Sequence, residues 1–122
     1  MTQIRIKRVY EDFNKNDGYR VLVDKLWPRG VKKETLKFDI WDKDIAPSTE
    51  LREWYHQDME NRWEEFEGHY LRELGSSGKV KDFISSVKKY GIVTLLYASK
   101  DQKHNHAVIL KSYLDKQLNK RD

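Results

Sequence analysis

Two short stretches of this chain carry side chains suited to holding an anion. The first is Asp24-Lys25-Leu26-Trp27-Pro28-Arg29-Gly30. Pro28 fixes its own φ and pushes Trp27 into an extended conformation, while Gly30 permits backbone shapes that a side chain would forbid. Arg29 sits between these two fixed points, so the turn sets its direction. The second stretch is Ser99-Lys100-Asp101, followed shortly by His104-Asn105-His106. Guanidinium, ammonium and backbone donors brought together favour an anionic group such as a phosphate. Asp24 and Asp101 are the candidate acids or bases. Asp24 would serve as a general base if burial raised its pKa. The plainer reading is a carboxylate paired with Arg20, Arg29 or Arg52. Asp101 is equally suited to capping the last helix.

Strands and helices must position these groups. Ile4-Arg5-Ile6-Lys7 alternates apolar and charged, the mark of a half-exposed strand running toward Val9. Asn16-Asp17-Gly18 signals a turn. Val21-Leu22-Val23 is apolar throughout and reads as a strand covered on both faces, as does Ile92-Val93-Thr94-Leu95-Leu96-Tyr97-Ala98. The short link between the first two strands favours a hairpin by length, while the buried second strand favours a central place in a parallel sheet; the residues leave that orientation open. Phe38-Asp39-Ile40-Trp41 reads as an irregular excursion or a single helical turn.

Ser48 is suited to N-capping a helix with Leu51, Trp54 and Tyr55 on its apolar side. Arg52 lies one turn into that helix and could reach the same sheet edge. Trp63, Phe66, Tyr70, Leu71 and Leu74 mark a second helix, ended by Gly75. Val80, Phe83, Ile84 and Val87 mark a third, and Ala107, Leu110, Leu114 and Leu118 a fourth. Residues 120–122 read as a frayed end. The pattern is α/β: one domain over residues 1–122, a small, mostly parallel sheet of about three core strands and about four helices, in Rossmann-like layering. If the two covered strands are parallel neighbours, both polar turns emerge at the carboxyl edge, where ligands bind in such sheets.

Composition narrows the function. The chain has 122 residues, no cysteine and a formal net charge of +4, which excludes disulfides, thiolate metal sites and a cysteine nucleophile. Residues 1–38 carry +5, residues 39–67 carry −7 and residues 68–122 carry +6. An acidic middle between basic ends gives a polarised surface rather than one broad basic face. The two imidazoles of His104-Asn105-His106 do not share a helical face, so no metal site is expected. His56 and His69 read as surface or boundary residues. No apolar run is long enough to span a bilayer and the first residues lack a leader's apolar core, so a cytoplasmic protein is expected. No nucleotide-loop, dinucleotide, nucleophile-elbow or zinc-helix motif occurs, and no cofactor is expected.

The run Gly18-Tyr19-Arg20-Val21-Leu22-Val23-Asp24-Lys25-Leu26-Trp27-Pro28-Arg29-Gly30 resembles the YeaO-like branch of the DUF488 family, small bacterial proteins without an assigned function. So do Asp39 with Trp41, Ala46-Pro47-Ser48 with Leu51-Arg52 and Trp54, and Thr94-Leu95-Leu96-Tyr97-Ala98-Ser99-Lys100-Asp101 with Asn105 and Ala107. Together they span nearly the whole chain in the expected order. The resemblance implies an α/β domain with a parallel sheet and supplies no substrate. The wider family often carries a Cys-His-Arg element in the last segment. This chain has Asn105-His106-Ala107 there, and so lacks that element's thiol and guanidinium.

The leading expectation is a small anionic or phosphorylated ligand, nucleotides among them, held by Trp27, Arg29, Gly30, Ser48, Arg52, Lys100, Asn105 and His106. An enzyme acting on a phosphorylated or nucleotide substrate at the same edge is the alternative. Nucleic-acid binding ranks third. The oligomeric state is left open.

Overall fold

A computed structural model describes residues 1–120; the fraying expected at Arg121 and Asp122 lies outside the described residues. Four strands form one sheet: β1 (Gln3–Arg8), β2 (Tyr19–Leu22), β3 (Ile40–Trp41) and β4 (Ile92–Tyr97). Their order is β1-β4-β2-β3 and every pairing is parallel. Among the described residues four helices accompany them, three before β4 and one after it: α1 (Thr49–His56), α2 (Met59–Ser76), α3 (Gly78–Val87) and α4 (His106–Leu118). The architecture is the α/β class implied by two covered apolar runs separated by helical periodicities.

The hairpin suggested by the short first link does not form. β4 inserts between β1 and β2, pairing Arg5 with Thr94 on one side and Arg20 with Thr94 on the other. Residues 9–18 must therefore return from the carboxyl end of β1 to the amino end of β2. They do so through a 3-10 turn, Lys15–Asp17, capped by the Asn14 side chain. Gly18 completes the return at φ +67°, with its Cα against the Ile92 carbonyl, where no side chain fits. The stretch near Trp41 also differs from expectation. Ile40 and Trp41 form a two-residue edge strand beside Val21 and Leu22, followed by a 3-10 turn at Lys43–Ile45. Two residues are too few for a period-2 signal to show.

Alternation along the central strands divides the interior. Val21, Val23, Val93 and Leu95 join a large core with Tyr55, Phe66, Tyr70, Val80, Phe83, Leu110 and Leu114, drawn from all four helices. Leu22 and Leu96 face the other way, where Val9, Leu36, Trp27, Phe38 and Trp41 cover them. Helices thus pack on one face, and the segment between β2 and β3 seals the other. Among the described residues no helix is long and apolar enough to cross a membrane.

Candidate functional site

Because β2 and β4 are parallel neighbours, their two polar turns do leave from one edge. A cleft of about 440 Å³ opens there, between the ends of these strands, α1 and the start of α4. Asp24, Trp27, Arg29, Arg52, Asn105 and His106 line it; Gly30, Ser48, Lys100 and Asp101 do not.

Asp24 forms the floor. The ladder between β2 and β4 continues one step, with the Val23 N–H donating to the Leu96 carbonyl at 3.1 Å. The chain then turns away, and Asp24 Oδ2 accepts the Ala98 N–H at 3.0 Å. The Asp24 carbonyl accepts the Trp41 indole N–H at 2.7 Å. Among the described residues no arginine bonds its carboxylate. Arg20 instead pairs with Asp17 and donates to the Lys37 carbonyl at 2.7 Å, since at that register it points toward the opposite end of β2. Burial pushes the Asp24 carboxyl above its ordinary pKa, against the opposing pull of His106, the Ala98 N–H and Arg52.

The Trp-Pro-Arg corner is held by aromatic packing. Trp27 meets Trp41 and Phe38 edge-on, at centroid distances of 5.4 and 5.7 Å, and its indole N–H donates to the Val31 carbonyl at 2.6 Å. Gly30 takes φ +77°, so its part is to turn the chain. The Arg29 carbonyl accepts the Tyr10 hydroxyl at 2.9 Å, leaving its exposed guanidinium beside the cleft.

Ser48 caps α1, as its position predicts, by accepting the Leu51 N–H. Its own N–H and hydroxyl donate to Glu73 at 2.9 and 2.6 Å, which turns it toward α2 and away from the cleft. Arg52, one turn later, is half-buried in the cleft, and its guanidinium has no hydrogen-bond or ion-pair partner among the described residues. His56 follows at i+4, on the same helical face, and also lines the cleft. That spacing was the signal by which it could have been found. Burial lowers the His56 pKa, with Arg52 and His106 adding repulsion.

The second turn behaves differently from expectation. Lys100 is exposed and points outside the cleft. Asp101 does not cap α4. Its Oδ1 accepts the N–H groups of Lys103 and His104 at 2.9 and 2.8 Å, closing a loop turn, and these bonds, His104 first, lower its pKa. Asn105 is the cap: its Oδ1 accepts the Val108 N–H at 3.1 Å while its amide donates to the Asp101 carbonyl at 2.8 Å. Both ends of that amide are engaged. His104 is exposed, yet meets Trp63 at a tilted angle with ring centroids 4.9 Å apart and reaches the cleft's rim. His106, the first residue of α4, places Nε2 2.9 Å from the Val23 carbonyl and 3.3 Å from Asp24 Oδ1. Among the described residues, no three side chains are grouped to hold a metal ion.

The lining is therefore cationic with one acid: Lys25, Arg29, Arg52 and three imidazoles, against Asp24. Apolar walls come from Leu26, Tyr55, Met59 and Phe66; the sequence marks Tyr55 and Phe66 as helix core positions, and none of the four as a ligand contact.

Comparison with known proteins covers nearly the whole chain. Residues 3–122 match the family model described as the inactive DUF488-N3 subclade. The chain is 43% identical over 111 residues to the uncharacterized protein YeaO of Escherichia coli (strain K12), covering 91% of this chain and 96% of that protein. It is 41% identical over 114 residues to the uncharacterized proteins Mb3100c of Mycobacterium bovis and Rv3073c of Mycobacterium tuberculosis, covering 93% of this chain and 95% of each. No solved structure matches the chain significantly. The chain belongs to the DUF488 family, in the N3 subclade described as inactive.

Proposed function

We propose that this protein binds a small anionic or phosphorylated ligand in the cleft at the carboxyl edge of its sheet, with Arg52 and Arg29 as the anion's partners. The observation that carries the reading is Arg52, a half-buried guanidinium with no acceptor among the described residues. A cation removed from water without a partner costs free energy, and a bound anion would recover it. The other basic groups of the lining point the same way, and the volume suits a metabolite-sized ligand.

Catalysis on such a ligand is the second reading. It is favoured by Asp24, whose buried carboxyl carries a raised pKa beside His106. The subclade's description as inactive weighs toward binding without turnover. So does the absence of the Cys-His-Arg element from Asn105-His106-Ala107. Nucleic-acid binding ranks third and rests on the basic balance of the chain and on exposed aromatics such as Tyr10 and Phe13.

The test is thermal unfolding with inorganic phosphate, phenyl phosphate and nucleoside mono- and triphosphates. A ligand at ~100 times its Kd stabilises the fold by about 2.7 kcal/mol. The stabilisation should vanish in a variant carrying both Arg29→Ala and Arg52→Ala. No response to any of these anions, or an undiminished response in the double variant, would overturn the reading.

A further inference from the structure

The cleft's mouth and floor differ in chemistry. At the mouth, Leu26 and Met59 line the opening while 58% and 43% exposed. A bare phosphate on the floor would leave both uncovered; a ligand with an apolar body would bury them.

On the floor, His106 is held in one tautomer. Its Nε2 lies 2.9 Å from the Val23 carbonyl and 3.3 Å from Asp24 Oδ1. A carbonyl can only accept, so Nε2 carries a proton, and whenever the ring is neutral Nδ1 is the bare nitrogen. Nδ1 has no protein partner among the described residues. Asp24 Oδ1 is the one buried side-chain polar atom there without a hydrogen bond, so Nδ1 is open to solvent on a residue that lines the cleft. Facing this imidazole are Asp24 from the end of β2, Arg52 and His56 from α1, and the Tyr70 ring from α2 at 6.3 Å. Asp24 is the one carboxylate among them.

Building on the anion-binding reading, we propose that the ligand is an oxyanion carried on an apolar body, and that His106 meets the oxyanion through Nδ1 in a tautomer held by the Val23 carbonyl, with the Asp24 carboxylate beside Nε2. On binding, Nδ1 takes one proton from solvent and donates it in a hydrogen bond to the oxyanion, which Arg52 also faces. On release the proton returns to solvent, and no covalent bond changes. Asp24 is then a positioning residue through its charge: 3.3 Å from Nε2, it balances the imidazolium, while the Val23 carbonyl orients the ring.

Two measurements test this. The first needs no ligand. Long-range 1H–15N correlation at about pH 8.5, where an ordinary imidazole is neutral, should show His106 protonated at Nε2; a predominant Nδ1–H form would overturn the proposal. The second is calorimetry at about pH 8, where a phosphomonoester is already dianionic, in two buffers of different ionisation enthalpy. Phenyl phosphate, benzoate and inorganic phosphate are the probes. One of the two aromatic anions should bind at least about tenfold tighter than inorganic phosphate through the added apolar contact, and which one does so separates a phosphomonoester from a carboxylate. Its binding should take up close to one proton, and His106→Gln should abolish that uptake. If no anion binds, the anion-binding reading falls and takes this proposal with it. If inorganic phosphate binds as tightly as either aromatic anion, or if no proton is taken up, only this proposal falls.

Discussion

Replacing Asp17 by asparagine removes one negative charge and almost no volume, at the joint between three strands. The Asp17 carboxylate accepts from Lys7 Nζ on β1 at 3.0 Å, from the Asn14 N–H at 3.1 Å and from the Arg20 guanidinium on β2. Its backbone carbonyl accepts the buried Thr94 hydroxyl on β4 at 2.6 Å. Arg20 is only 3% exposed. Without the Asp17 charge, its own would be buried against only the Lys37 carbonyl and the face of the Phe13 ring. Orphaning one member of a buried pair costs about 3–5 kcal/mol. Lys7 and Asp17 side chains retain 15% and 10% exposure, so water recovers part of the loss and the low end, about 3 kcal/mol, is expected. At about 4 °C per kcal/mol for a domain of this size, the Tm should fall by roughly 12 °C.

Burial alone would raise the Asp17 pKa, but Lys7, the Asn14 N–H and Arg20 outweigh it and hold the group below its ordinary value. A carboxyl depressed in the folded state stabilises fully above its unfolded pKa and loses that contribution as pH falls through its folded pKa. The gap between native protein and Asp17→Asn should thus be flat near neutrality and close in acid, below about pH 4. Urea unfolding of both proteins from neutral to acid pH measures it. A gap under about 1 kcal/mol at neutral pH, the size of an exposed pair, would refute the reasoning, as would a gap that widens in acid.

Asp24→Asn should act with the opposite sign. Its carboxyl is raised in the folded state, so its stabilising contribution is present below its unfolded pKa and is lost as pH rises through the folded value. In urea unfolding, the stability of native protein minus that of Asp24→Asn should decrease between acid and neutral pH. Arg52→Ala should leave the unfolding free energy unchanged or raise it by up to about 0.5 kcal/mol, because no hydrogen-bond partner is lost and an unpaired cation is removed, yet weaken the tightest anion in calorimetry about tenfold to a hundredfold, as for one charged hydrogen bond. Gly18→Ala should cost about 2–4 kcal/mol in the same unfolding assay, since its Cβ would lie 2.3 Å from the Ile92 carbonyl oxygen at a φ of +67°.

What the sequence made legible follows from how local each signal is. Val21-Leu22-Val23 and Ile92–Ala98 announce covered strands by composition, and the helices follow from apolar spacing, with Ser48 capping α1 as its residue type suggests. β3 escaped notice because two residues hold no period. The insertion of β4 between β1 and β2 is a long-range choice that residues 9–18 do not encode; their brevity points toward a hairpin. Asp101 and Asn105 are both helix-capping types. The distinction lies in where α4 begins: Ala107 is fully buried one residue into the helix, which leaves Asn105 beside the first turn and Asp101 four residues short.

The direction of Asp24 is the instructive case. Its residue type suggests a search for a nearby arginine, but a strand end poses a prior demand. Once the chain bends toward Trp27-Pro28, the parallel ladder beyond Val23 loses its backbone acceptor, and the Ala98 N–H at the end of β4 still requires one. Asp24 Oδ2 supplies it. Were Asp24 drawn off to an arginine instead, that N–H would be left half-buried and unpaired, at a cost of about 1–3 kcal/mol. The same bond fixes where Oδ1 sits, beside His106 Nε2. The polarity of the cleft floor is thus settled by a backbone donor on a neighbouring strand, far from Asp24 in sequence.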